Sequence, residues 1–139
     1  FGQVSMEFCN SLMKFYDKGS FNKLPLHYLY QLMHAGKQVV EREPHVVPIS
    51  LPEKDCKLYI VGDLHGDFRA LRKILKHLGM PSDKIAYVFN GDIVDRGPRS
   101  IECLTLILAM KIALPHRVFI TRGNHECRVV NARYGFKAE

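Results

Sequence analysis

The sequence has 139 residues, 47% hydrophobic and 24% charged, which suits one ordinary globular domain and excludes disorder as a global description. Twenty Lys+Arg against fourteen Asp+Glu give a formal charge of +6. No run of five basic residues occurs and aromatics do not alternate with basics, so the charge describes a solvated surface or one that attracts anions, without support for dedicated nucleic-acid binding.

The first predicted element is a helix with Met6, Cys9, Met13 and Tyr16 on one face, closed by a turn at Asp17-Lys18-Gly19-Ser20. A second helix follows Pro25, outlined by Leu26, Leu29, Leu32, Met33, Val39 and Val40. Pro44 and Pro48 end it and lead into an extended segment over 46–51. Residues 1–52 therefore read as helices plus a lead-in. From Lys57 the texture alternates. A strand is predicted over 58–61, then a helix with Phe68, Leu71, Leu75 and Leu78 on its apolar face, N-capped by Asp67 and stopped at Gly79. The next strand covers 86–89. Pro98 is placed in the first turn of the following helix, which runs to about Leu114. A third strand covers 117–121, and a last helix begins near His125. The order is βαβαβα, an α/β arrangement that implies a parallel sheet with right-handed crossovers and ligand-binding loops at the carboxyl ends of its strands.

Each of these strands runs into a polar loop that contains glycine: Gly62-Asp63-Leu64-His65-Gly66, Gly91-Asp92-Ile93-Val94-Asp95-Arg96-Gly97, and Arg122-Gly123-Asn124-His125-Glu126. Carboxylates, an amide oxygen and imidazoles on neighbouring strand ends suit divalent Mn, Fe or Zn better than Ca. Asp63 and His65 can close on one ion, and Asp92, with two oxygens, can bridge two. Simpler readings exist for the parts. A single Gly-Asp or Asn-His is ordinarily a turn with a satisfied polar residue, Glu126 suits the start of a helix, and Asp95–Arg96 can be a loop ion pair. Three such loops after three successive strands are not explained that way.

The three blocks, G-D-x-H-G, G-D-x-V-D-R-G and G-N-H-E, resemble those of the metallophosphoesterases, and more narrowly the phosphoprotein phosphatase family of serine/threonine phosphatases. The resemblance runs from about Lys57 to Glu139. The stretches from Tyr87 to Asp92 and from Asn131 to Phe136 point to the protein phosphatase five and EF-hand phosphatase branch. The resemblance implies half of a calcineurin-like β-sandwich flanked by helices, its second sheet supplied by later sequence. It also implies two divalent ions, Mn or Fe/Zn, and attack by a metal-activated hydroxide on phosphoserine or phosphothreonine in protein substrates. Asp63, His65 and Asp92 match the first metal's ligands, and Asp92 and Asn124 match two ligands of the second. His125 matches the general acid, Asp95 its support and Arg96 the phosphate binder; Arg122 is expected to support its loop. His27, His34, His45, His77 and His116 lie outside the motifs. Two further histidines and an arginine that the family uses come later than Glu139, so residues 1–139 are expected to be one partial domain that holds at most one ion tightly. A dinucleoside tetraphosphate hydrolase shares the blocks and the D-R-G-P-x-S run. A non-catalytic interaction module, binding a regulator, is the alternative from another class.

No apolar run reaches the roughly 18 residues that a membrane span needs, and Phe1 to Asn10 do not read as a signal peptide, lacking a basic region followed by an apolar core. The sequence opens on Phe1, which is expected to lie inside a longer product. Cys9, Cys56, Cys103 and Cys127 are scattered without a C-x-x-C pair, as in a reduced cytoplasmic or nuclear protein. The expected partners are phosphoproteins and regulatory subunits or domains.

Overall fold

The structure, a computed structural model, describes residues 4–19, 23–51 and 54–139. Phe1, Ser20 of the first turn and Pro52 at the end of the lead-in lie outside the described residues. The order is α1 (Met6–Asp17), α2 (Leu26–Glu41), β1 (Lys57–Val61), α3 (Phe68–Leu78), β2 (Ile85–Phe89), α4 (Ser100–Ala113), β3 (Val118–Ile120) and α5 (Arg128–Tyr134).

The three strands form one parallel sheet in the order β1-β2-β3. Val61 pairs with Phe89 and Phe89 with Ile120, so all three strands finish level. Their following loops therefore leave the same edge, with adjacent strands about 4.8 Å apart. Period-two alternation decides the faces. Tyr59, Val61, Tyr87, Phe89, Val118 and Ile120 join the helical core, while Ile60 on the opposite face is 72% exposed.

α4 is the axis of that core. It is apolar nearly all round, buries nine residues and packs against α1, α2, α3 and β3. Its Lys111 is fully buried; the ammonium meets Glu43 and the Pro115 carbonyl, fastening the segment after α2 to the C-terminal end of α4. α3 behaves as its pattern predicts. Phe68, Leu71 and Leu75 are buried, Asp67 accepts the Ala70 N–H at 2.9 Å, and Gly79 closes the helix at φ +96°.

Besides β1 and β2, which each begin one residue earlier than expected, three elements differ from expectation. Pro98 does not open α4, which begins at Ser100; the Glu139 carboxylate accepts the Ser100 and Ile101 N–H groups at 3.0 and 3.1 Å and caps the helix there. The last helix starts at Arg128, not near His125, because residues 121–127 are committed to the loop edge described below. β3 has three regular residues instead of five. The 46–51 segment is irregular. Among the described residues no helix is long and apolar enough to cross a membrane, and all four cysteines are free.

Candidate active site

The loops after β1 and β2 are knitted together by their backbones. The Asp92 carbonyl accepts from Leu64 and His65, the Ile93 carbonyl from Gly66, and the His65 carbonyl from Gly97, all between 2.8 and 3.0 Å. Such close approach needs glycine: a Cβ on Gly97 would run into the His65 carbonyl, and one on Gly123 into Asp92. The loop after β3 joins through the His125 N–H, which donates to Asp92 Oδ1 at 2.8 Å.

Among the described residues the non-glycine residues in left-handed backbone are His65, Asp92, Asp95 and Arg96, at φ +45°, +47°, +72° and +68°. Each such residue costs on the order of 1–3 kcal/mol, and such strain gathers where geometry matters to function. All four were singled out from the sequence.

The side chains then converge. His65 Nδ1 lies 3.1 Å from the Val94 carbonyl, which assigns its proton there and leaves Nε2 to face the site. Asp63 Oδ2 is 3.7 Å from that Nε2. His65, Asp92 and His125 each offer one ligand atom within 4.8 Å of the others. Asp63 is exposed at the rim. Asn124 is exposed too, held between Gly123 and His125, which both contact Asp92.

Behind this cluster lies a buried polar network. Asp95 is sealed from solvent and accepts from His125 Nδ1 at 3.0 Å, Asn131 Nδ2 at 3.0 Å and the Phe136 N–H at 2.9 Å. Burial alone pushes its carboxyl up; those three donors, with the charge of His125, outweigh it and hold the group below its ordinary value. Ser100, also buried, takes the Asp95 N–H, and Tyr134 packs edge-on against the His125 ring. Arg96 is exposed, with Nη2 3.3 Å from His125 Nε2. Arg122 Nε donates to the Glu126 carbonyl, a contact within its own loop.

Sequence reasoning missed Asn131, the Phe136 amide and Ser100, which act on Asp95 from five to forty-one residues away. It also undervalued Glu126. That carboxylate lies ahead of α5, not in it, and accepts backbone N–H groups of Asp92, Ile93, Val94 and Gly123. The recurring polar residues in the G-N-H-E block were the one available signal. A groove of about 850 Å³ runs behind Gly66 and Gly97, lined by Tyr16, Asp17, Arg72 and Arg99, away from the ligand atoms.

Residues 56–138 match the sequence family described as Calcineurin-like phosphoesterase. The chain is 39% identical over 137 residues to serine/threonine-protein phosphatase T of Aspergillus oryzae, which covers 99% of this chain and 28% of the relative. It is 36% identical over 138 residues to serine/threonine-protein phosphatase 5 of Homo sapiens, covering 99% and 27%. A protein serine/threonine phosphatase structure from Saccharomyces cerevisiae, with similarity to human phosphatase PP5, superposes with a TM-score of 0.90 at 33% identity, over 96% of this chain and 42% of that one. The chain thus spans roughly a quarter of the length of these curated relatives.

Proposed function

The chain belongs to the calcineurin-like phosphoesterase family, and from that premise we propose that it forms part of the catalytic domain of a metal-dependent serine/threonine protein phosphatase. The observation that carries this reading is the meeting of His65, Asp92 and His125 ligand atoms within 4.8 Å, beside the Arg96 guanidinium.

The donor set fits divalent cations. His65 presents a neutral imidazole nitrogen whose partner nitrogen is already engaged, and Asp63 and Asp92 supply carboxylates next to it. In this reading Asp63, His65 and Asp92 hold one ion, and Asp92 and Asn124 contribute to a second. Mn, Fe and Zn are the metals that suit such ligands. Two ligands, one neutral and one shared, do not fix an ion against water, so these 139 residues hold at most one tightly. When bound, such ions would supply Lewis acidity and an activated water for attack on phosphorus.

The protein's own groups do the rest. Arg96 offers a planar fork to two phosphate oxygens and delivers the phosphate beside His125. Asp95 fixes His125 through Nδ1, so Nε2 is the atom that passes a proton to the departing serine or threonine oxygen. Asp95 also stabilises the imidazolium before that transfer. The substrates are phosphoproteins, regulatory subunits or domains are the expected partners, and the cytoplasm or nucleus is the compartment. The relatives' names support a protein substrate over a dinucleoside tetraphosphate.

The test is phosphate release by the full-length protein with Mn²⁺, from a phosphothreonine peptide and from diadenosine tetraphosphate in parallel. Hydrolysis of the peptide is expected. Turnover of the tetraphosphate alone, or of neither by metal-loaded protein, would overturn the reading.

A further inference from the structure

The Glu126 carboxylate accepts four hydrogen bonds from backbone donors of two different loops. Its Oε1 accepts from Ile93 at 2.8 Å and Val94 at 3.3 Å; Oε2 accepts from Asp92 at 2.8 Å and Gly123 at 2.9 Å. Three of those donors are successive N–H groups. Successive amides that face one way form a concavity for an anion, and the Glu126 carboxylate fills it.

The arrangement accounts for how Asp92 is held. Asp92 sits at φ +47°, in the left-handed region that glycine enters freely and aspartate only occasionally and at a cost. Gly91 before it is also left-handed, and Gly123 closes on it so tightly that no Cβ fits. Turning Asp92 back to ordinary backbone would swing its N–H off Oε2 and break the row of three. The two oxygens of one carboxylate thus lock the β2 loop and pin it to the β3 loop. Charge-assisted bonds of this kind are stronger than neutral ones.

We infer that Glu126 is a positioning residue: by clasping the 92–94 amides and the Gly123 amide, it holds Asp92 in its strained backbone and so sets the affinity of the site for a divalent cation. The inference rests on Asp92 being a metal ligand. A neutral amide does not replace the carboxylate, because one oxygen becomes an NH₂ group facing two N–H donors.

The experiment titrates Mn²⁺ into metal-stripped full-length protein by calorimetry, for wild type, Asp92→Asn and Glu126→Gln, with the melting temperature of each metal-free protein measured alongside. Glu126→Gln is expected to bind Mn²⁺ about 10- to 100-fold more weakly, the range for losing a group that orients a ligand. A carboxylate that served folding alone would lower the melting temperature and leave the Mn²⁺ affinity of the folded protein unchanged. Wild-type affinity in Glu126→Gln with weakened Asp92→Asn would overturn the inference and spare the ligand reading. Wild-type affinity in Asp92→Asn would overturn the ligand reading itself. If Glu126→Gln does not fold, Glu126→Asp, one methylene too short to reach both loops, is read by the same criterion.

Discussion

Asp95 and His125 meet at 3.0 Å, carboxylate to Nδ1, with both side chains almost wholly withdrawn from water. The contact ties the loop after β2 to the loop after β3. Replacing Asp95 by alanine leaves His125 Nδ1 and the Phe136 N–H without their acceptor, while Asn131 Nδ2 keeps only the His125 carbonyl. Buried donors without partners cost about 1–3 kcal/mol each, so a loss of about 2 kcal/mol or more is expected in urea unfolding.

The same carboxylate gives a pH dependence with a definite sign. Its folded pKa lies below the ordinary 3.8. The stability it contributes is therefore fully present above about pH 4 and drains away as pH falls through the depressed folded value. Melting temperatures followed from pH 5 downward should show wild type losing an increment that Asp95→Asn does not lose. Parallel curves would mean that another group controls the acid limb.

On the proposed reading, Asp92→Asn should reduce phosphatase activity of the full-length protein more than Asp95→Asn, since the first would remove a charged metal ligand and the second only the support of an acid. His125→Ala should lower turnover roughly 10²–10⁴-fold while metal binding persists. His125 lies within ligand distance of His65 and Asp92. Loss of metal in His125→Ala, measured by elemental analysis, would reassign it from acid to ligand.

Two glycines on the same edge should respond in opposite ways to alanine. At Gly62 an added Cβ meets nothing within 4 Å, whereas at Gly123 it meets the Asp92 carboxylate and amide. Gly123→Ala should abolish tight Mn²⁺ binding and lower the melting temperature; Gly62→Ala should change neither by much. Equal behaviour of the two variants would contradict the packing described for Asp92.

The cysteines should separate by reactivity. Burial pushes the Cys9 thiol up to about 12 and the Cys103 thiol higher still. Cys127 is held below its ordinary value by the nearby Val129 and Val130 amides. Iodoacetamide at neutral pH, followed by peptide mapping, should label Cys127 well before Cys9 or Cys103.

The sheet and the main helices were legible because their signals are local: period-two and period-3.6 apolar spacing, the Asp67 cap and the Gly79 stop all lie within one element. The expected meeting place of Asp63, His65, Asp92, Asn124 and His125 came from three polar loops following three successive strands, and the structure brings the ligand atoms of His65, Asp92 and His125 within 4.8 Å there. What stayed hidden is set by distance in sequence. The Glu139 cap that moves the start of α4 to Ser100 reaches across thirty-eight or thirty-nine residues, and the Asp95–Phe136 bond across forty-one. Backbone strain at His65, Asp92, Asp95 and Arg96 was equally unreadable, because aspartate and histidine enter left-handed backbone only occasionally and arginine rarely, so none of them marks it as glycine does.

The level finish of Val61, Phe89 and Ile120 makes this region tolerant in one respect and brittle in another. Exchanging one branched apolar residue for another inside a strand leaves every ligand where it was. Deleting a single residue from β2 does not. It would draw Asp92 back along the strand by about 3.3 Å and turn Tyr87 and Phe89 out of the helical core. The identity of an apolar residue in these strands is therefore expected to matter less than the strand's length, and an inserted residue is expected to be better tolerated at the opposite edge of the sheet.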